Sequence, residues 1–316
     1  MEADDTALLA ARFEEHRGRL RAVAYRMLGS LSEAEDAVQE TWLKLSRTDT
    51  GAIENLGGWL TTVTGRVCLD LLRSRTARRE QPMGEGHEGY AGSAGYEGYE
   101  GYGTFVPDPV IGPLSVTDPE EEVLQADAVG LALLVVLETL EPAERLAFVL
   151  HDMFAVPFDD LAPIVERSSA ATRQLASRAR RRVQGATPST EPDLARQREV
   201  VSAFLAAARA GDFEALLAVL HPDVVLRADA GALVRGAAAS KVVHGAKAVA
   251  EQAVLFRQFA PHGRLALVGG AVGILNGPEG ELRSVMGITV AGGRIVALHI
   301  LADPERVAAL EVPEGT

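Results

Sequence analysis

Residues 158–183 read FDDLAPIVERSSAATRQLASRARRRV. Phe158, Leu161, Ile164 and Val165 give a short apolar-patterned helix. A polar break, Glu166-Arg167-Ser168-Ser169, follows it. A second helix then ends in Arg178, Arg180, Arg181 and Arg182. Two short helices across a tight turn, the second rich in guanidinium groups, fit a helix-turn-helix. Ser168 or Ser169 can accept a bond from the free N–H groups that open the second helix. Ala171, Leu175, Ala179 and Val183 recur every four residues and are expected to face inward. Thr172, Arg173, Gln174, Ser177, Arg178 and Arg181 lie off that stripe, and Arg and Gln are the side chains that pair with guanine and adenine edges. The same pattern also suits a solvated helix whose basic end complements its dipole. Glu166 stands near the point where many such turns place a glycine with positive φ. Pro163 is tolerable because it sits close to a helix start.

Working outward, 316 residues suggest two or three domains. An apolar content of 47% is ample for packed cores, and 5% aromatics makes those cores Leu, Val and Ala. The single cysteine, Cys68, excludes an internal disulfide and falls on an apolar helical stripe, which favours a buried structural thiol. The longest apolar run, residues 131–137, is too short to span a bilayer, and no secretory pattern opens the chain. We therefore expect a cytoplasmic protein. A net charge of −13 with local basic patches predicts weak DNA binding alone and a need for a partner that holds the chain there.

The N-terminal third reads as three helices, at about 7–28, 33–46 and 58–79. Gly29 ends the first, and Ser32-Glu33-Ala34-Glu35 predicts a capping box for the second. The second pairs a buried side with an acidic outer side carrying Glu33, Asp36, Gln39 and Glu40. That outer side is either solvated or docks on a basic partner. A polar loop, 47–57, leads to the third helix, where Thr62, Arg66, Asp70 and Arg73 share a face beside Trp59. Thr and Arg beside a Trp suit contact with phosphates and bases. A basic helix end with Trp59 as a core anchor fits equally well.

Residues 81–118 change character. GEGHEGYAGSAGYEGYEGYG is too glycine-dense to offset its ordering entropy, which predicts a flexible tether. Phe105-Val106-Pro107-Asp108-Pro109, by contrast, is a stiff short motif suited to docking. Asp118-Pro119-Glu120-Glu121 is a strong helix start, and helices are expected at about 119–138 and 142–153. After Pro188 and Pro192, residues 193–316 form a separate α+β unit. Helices at about 194–210, 213–220 and 246–259 go with strands at 264–268, 270–276, 282–290 and 294–301. Helices followed by a curved antiparallel sheet suggest a cone around a pocket. His221, Asp229 and His299 are candidates to project into it, though such residues are more often structural.

Ala24–Leu45, AYRMLGSLSEAEDAVQETWLKL, resembles region 2.1–2.2 of bacterial RNA polymerase sigma factors of the extracytoplasmic-function (ECF) type. Gly58–Arg79, GWLTTVTGRVCLDLLRSRTARR, resembles regions 2.3–2.4. LEPAERLAFVLHDMF with the helix-turn-helix resembles region 4. The C-terminal unit is similar to the SnoaL/NTF2-like domain that one subgroup of these factors carries. The order and spacing of three motifs make the resemblance specific, and it covers nearly the whole chain. It implies two all-α sigma domains, at 1–80 and 119–186, a 81–118 linker, and an α+β cone at 193–316.

The resemblance also assigns roles. Asp36, Gln39 and Glu40 would dock on core RNA polymerase. The 47–57 loop with Asn55, and Trp59, Thr62, Arg66 and Arg73, would contact the −10 element. Thr172, Arg173, Gln174, Ser177, Arg178 and Arg181 would read the −35 element. The subgroup's Trp-led Pro-Glu-Pro linker motif stands here as Phe105-Val106-Pro107-Asp108-Pro109. Its Asp-Gly-Gly-Gly-Lys motif is degraded to Asp229-Ala230-Gly231-Ala232. Its Asn-Pro-Asp-Lys-Leu motif survives loosely as Asp303-Pro304-Glu305-Arg306-Val307. These three imply regulation of the sigma domains by the C-terminal domain. No cofactor, metal or catalytic residue is expected, and a small ligand in the cone is left open. The alternative is a free-standing helix-turn-helix regulator fused to a ligand-binding or catalytic cone.

Overall fold

A computed structural model describes residues 2–49, 53–79, 104–114, 130–186, 191–231, 236–278 and 280–313. The Gly/Tyr-rich stretch, the tip of the 47–57 loop and the expected helix start at Asp118 lie outside these residues. The chain forms two compact units, one of Met1–Gly101 and Leu137–Gly185, the other of Tyr102–Val136 and Ala186–Thr316.

The first unit opens with α1 (Glu2–Leu28), α2 (Leu31–Leu45) and α3 (Leu56–Arg79). Gly29 ends α1 at φ 69°, and its N–H returns to Tyr25 O at 2.8 Å. The expected capping box is not formed. With only Ser30 left after Gly29 as a connector, α2 starts at Leu31, two residues too early for Ser32 to cap it. Glu35 instead pairs with Arg17 and Arg21, each at 3.0 Å. Phe13, Leu20, Val38, Leu45, Leu56 and Leu60 make a core against which Trp42 and Trp59 lean. Thr41 and Thr64 share a buried hydroxyl contact of 3.1 Å between α2 and α3. Cys68 is buried as expected, and burial pushes its thiol pKa up, so it is inert.

The same unit holds α5 (Pro142–Phe148), α6 (Phe158–Val165) and α7 (Ser169–Ala186). The single helix expected over 142–153 widens after Phe148 into a π-helical turn, Val149–Met153. These helices pack directly on the first three, so the two helical modules expected as separate bodies form one. Gly65 makes room for this contact, because a Cβ there would lie 2.6 Å from Leu150 Cδ1. Arg145, buried, donates to Met27 O at 2.8 Å and to Glu138 at 2.6 Å. Arg19 reaches Phe154 O at 3.0 Å, and its guanidinium lies over the Phe154 ring.

In the second unit, seven strands form one sheet: β1 (Ile111–Gly112), β2 (Leu220–Asp229), β3 (Lys241–His244), β4 (Gly263–Val268), β5 (Ala271–Asn276), β6 (Ser284–Ala291) and β7 (Arg294–Leu301). The order is β1-β4-β5-β6-β7-β2-β3, antiparallel except for the β2–β7 pair. Helices α8 (Leu194–Ala210), α9 (Phe213–Val219) and α10 (Ala246–Leu255) cover one face, and α11 (Pro304–Ala308) follows β7. β1, β2 and β3 were not evident in the sequence, since β2 opens on the polar His221-Pro222-Asp223 and β1 is two residues long. Alternation along each strand builds two cores. Leu267, Ile274, Leu298 and Ile300 face the helices, whereas Ala266, Val268, Leu275 and Leu301 face away.

The second core corrects the domain boundaries. It is completed by Val106 and Ile111 of the linker and by Leu131 of α4 (Leu131–Glu138). Gly287 admits Leu131, since a Cβ there would lie 2.5 Å from Leu131 Cδ2. Parts of the expected linker and of the expected second helical domain are thus structural pieces of the C-terminal unit.

Candidate functional site

Four sets of residues carry the functional expectations. On α2, Ala34, Ala37, Val38, Thr41 and Leu45 are buried, which turns Asp36, Gln39 and Glu40 outward. Glu40 pairs along the helix with Lys44 at 3.1 Å. Leu43, missed in the sequence, is 44% exposed beside them. An exposed leucine one turn from Gln39 and Glu40 gives the acidic face an apolar centre, and only the structure shows that it is not spent on the core.

On α3, Asn55 Oδ1 accepts the Gly58 N–H at 3.0 Å and so caps the helix. Trp59 and Thr62 are half-buried, and Arg66 and Arg73 are exposed. Steps of four, three, four and seven residues keep all five on one face. Among the described residues, neither Arg66 nor Arg73 carries an ion pair, so both guanidinium groups are available to phosphate.

The helix-turn-helix forms as expected. Ser168 Oγ accepts the Ala171 N–H at 3.2 Å, which makes Ser168 the cap. Glu166 adopts the left-handed conformation, φ 57° and ψ 44°, where glycine would be easier. The inward stripe is shifted, however. Thr172, Leu175, Ala176 and Ala179 are the buried residues, and Thr172 Oγ1 donates to Ser168 O at 3.0 Å. Thr172 is therefore a core residue and is removed from the base-reading set. The rotation follows from helix geometry, since positions three and four apart share one face and Thr172 outranks Ala171 in packing volume. Arg173, Gln174, Ser177, Arg178 and Arg181 stay exposed. Arg178 reaches Glu144 at 3.2 Å, as does Arg182 at 2.7 Å, and Arg173 lies over the Phe158 ring.

The fourth set lies entirely in the second unit. Phe105–Pro109, Asp229 and Arg306 meet in one knot. Arg306 donates to Asp108 Oδ1 (2.8 Å from Nε), to Asp229 Oδ2 (2.7 Å) and to Val106 O (2.6 Å). Asp229 Oδ2 also accepts the Val106 N–H at 3.2 Å, and the Phe105 ring lies 4.7 Å from the guanidinium carbon. Val106, Pro107, Asp108 and Pro109 are all buried. Asp303 caps α11, accepting from Glu305 and Arg306, with Pro304 in the first turn. Gly231, at φ 79°, is held against Asp303, where any side chain would collide. Two residues on, Ile111↔Val268 and Gly112↔Leu267 extend the sheet. The three motif remnants in the sequence are one latch in space. Arg306, absent from the expected set, is its centre.

The helical face of the sheet encloses a cavity of about 280 Å³. None of the three residues expected there lines it. Asp229 is in the latch, His221 is half-buried at the start of β2 away from the cavity, and His299 points to the opposite face with Leu301. The reason is the strand period of two, which sends Ala228, Ala230, Leu298 and Ile300 into the cavity and their neighbours away from it.

Two arginine-bearing helical modules, one with an exposed acidic helix beside it, and a cone-shaped domain latched to their connector define a transcription-initiation type of architecture. The comparisons agree. The Sigma-70 region 2 family matches residues 12–78, and the SnoaL-like domain family matches residues 201–298. The ECF RNA polymerase sigma factor SigJ of Mycobacterium tuberculosis is 38% identical over 308 residues, 93% of this chain and 91% of that protein. The probable ECF RNA polymerase sigma factor SigI of the same species is 33% identical over 97% of each chain. The crystal structure of M. tuberculosis SigJ superposes with a TM-score of 0.69 at 34% identity, covering 96% of this chain and all of that one. The chain belongs to the ECF RNA polymerase sigma factors. No helix among the described residues is long and apolar enough to cross a membrane.

Proposed function

We propose that this sigma factor binds core RNA polymerase through the outer face of α2 and selects promoters through α3 and α7. The acidic patch Asp36, Gln39 and Glu40 around exposed Leu43 carries the core-binding reading, because charge without an apolar centre gives little affinity. Asn55, Trp59, Thr62, Arg66 and Arg73 face the −10 element, Asn55 doing so while it caps α3. Arg173, Gln174, Ser177, Arg178 and Arg181 face the −35 element in the major groove. The net charge of −13 suits a chain that engages DNA only as part of a larger assembly, which places its work in the cytoplasm with the polymerase. The protein acts by binding and not by catalysis.

The C-terminal domain regulates through the latch. It holds Phe105–Gly112, which lies in sequence between the two helical modules, against the sheet of the C-terminal domain. A connection fixed at that segment limits how far the modules can part. Phe105, Pro107, Asp108, Pro109, Asp229, Asp303 and Pro304 act together with Arg306 in this role.

Pull-down with core polymerase tests the core-binding face. Asp36→Ala with Gln39→Ala should weaken capture at least about tenfold with no loss of thermal stability, as both side chains are solvent-exposed. Capture equal to that of the unsubstituted chain would reject this face. Tight binding of a palindromic duplex without polymerase would favour a free-standing regulator.

A further inference from the structure

The cavity on the helical face of the sheet belongs to neither the latch nor the helical modules. Ile274 of β5, Met286 of β6 and Leu298 of β7 point into it, and Phe204 of α8 closes it from the other side. At about 280 Å³ it is far larger than the voids of ordinary core packing and lies near the lower end of small-molecule sites. Seven of its lining residues are alanines, and Ala208, Ala228 and Ala253 come from three different elements, α8, β2 and α10. Leucine or isoleucine at these inward positions would fill the space. The volume is therefore set by small side chains in the sequence and is not a packing flaw.

The charged groups in the wall are already engaged. Arg283 is exposed and pairs with Glu281 at 3.0 Å. Lys241 Nζ donates to Gln252 Oε1 at 2.6 Å and lies 5.0 Å from the Phe256 ring centroid. No carboxylate is among the described lining residues. An ionised ligand would give up its hydration for groups that already hold partners, which disfavours it in an apolar space. Uncharged polar groups are placed differently. Asn276 and Ser284 stand directly opposite each other on β5 and β6, and both line the cavity. An amide and a hydroxyl can each donate a hydrogen bond to an uncharged oxygen or accept one from it.

We propose that this cavity binds a neutral, mainly apolar molecule of about ten carbons with one uncharged oxygen function, as in a medium-chain alcohol or ketone. Its hydrocarbon part lies against Phe204, Ile274, Met286 and Leu298, and its oxygen against Asn276 and Ser284. The size follows from the volume. An apolar cavity of about 150 Å³ takes up benzene, so about 280 Å³ suits roughly ten carbons.

Isothermal titration of the full-length chain with straight-chain alcohols from pentanol to dodecanol, and with decanoate and decyltrimethylammonium, tests this. Affinity should rise about fourfold with each added methylene and level off near decanol, once the cavity is full, with one molecule bound per chain. Decanoate and decyltrimethylammonium should each bind at least about tenfold more weakly than decanol. Ala228→Leu and Ala253→Leu, which fill the cavity, should each lower decanol affinity at least about tenfold. Asn276→Ala with Ser284→Ala should lower it at least about threefold. Affinity that keeps rising through dodecanol, decanoate bound as tightly as decanol, unchanged decanol binding in these variants, or no binding of any alcohol would each overturn the proposal. The comparisons of chain length and charge use the unsubstituted protein, so they stand even if a variant misfolds.

Discussion

Burial pushes the His299 imidazole down to about 3, with the Arg227 charge adding to the effect, and its Nδ1 has no hydrogen-bond partner among the described residues. In the unfolded chain the group titrates near its ordinary 6.5. The unfolded state therefore binds the extra proton between those values, and stability falls as pH drops below 6.5. The slope is roughly 1.4 kcal/mol per pH unit, so about 2 kcal/mol is lost between pH 6.5 and 5. Urea unfolding of the protein and of His299→Leu at both pH values should show that difference, and equal losses in the two chains would contradict it. The sequence made His299 visible as a histidine in a strand but not which way it pointed. One residue of register separates the cavity from the opposite core. Thr172 went the same way, because a stripe that can be drawn through Ala171 or through Thr172 is decided by what packs on it. Glu166, standing where many such turns have glycine, counted against the motif in the sequence, yet it adopts the left-handed conformation the turn needs.

At the level of the elements, α1 to α3, α6, α7 and the last four strands were readable from periodicity, caps and Gly turns. β1, β2 and β3 were not, as their pairing is supplied by distant partners and their local pattern is weak. The latch was visible as three separate motif remnants, while Arg306 was read only as part of a loose match. Two buried carboxylates, Asp108 and Asp229, pair with that one guanidinium. Arg306→Met should therefore cost about 3–5 kcal/mol locally, and Arg306→Lys should restore little because the fork of donors is lost. Hydrogen exchange of the Val106 and Gly269 amides reads the result, since these donate to Asp229 and to Val110 O. Fast exchange of both amides in an otherwise folded chain is expected. Unchanged protection would show that β1 pairing and the Phe105–Pro109 packing hold the segment unaided. This variant is a better probe of regulation than removal of residues after about 195, which would strip the cover from Val106, Ile111 and Leu131.

For the molecule as a whole, the sequence disclosed the order of its parts but not their assembly, which depends on contacts such as Gly65 with Leu150 that no local pattern encodes. The packing of the two helical modules has a mechanical consequence. Promoter elements near −10 and −35 lie roughly 25 base pairs apart, about 85 Å of duplex at 3.4 Å per pair. The 24 residues of α3 extend only about 36 Å. If α3 and α7 engage both elements at once, the expected outcome is that the first unit opens on a promoter. Fluorophores on Arg47→Cys and Gln184→Cys report this, since buried Cys68 will not take label. Energy transfer should be high in the free chain and fall on addition of core polymerase and promoter. High transfer retained in a transcribing complex would refute opening.

Run-off transcription from a panel of genomic fragments, with core polymerase and this chain as the added factor, is the most direct test of the sigma-factor account. The account predicts transcripts that require both the core and this chain, start at a small set of fragments, and vanish with Arg66→Ala plus Arg73→Ala. Absence of any chain-dependent transcript, despite a folded protein and active core, would contradict it.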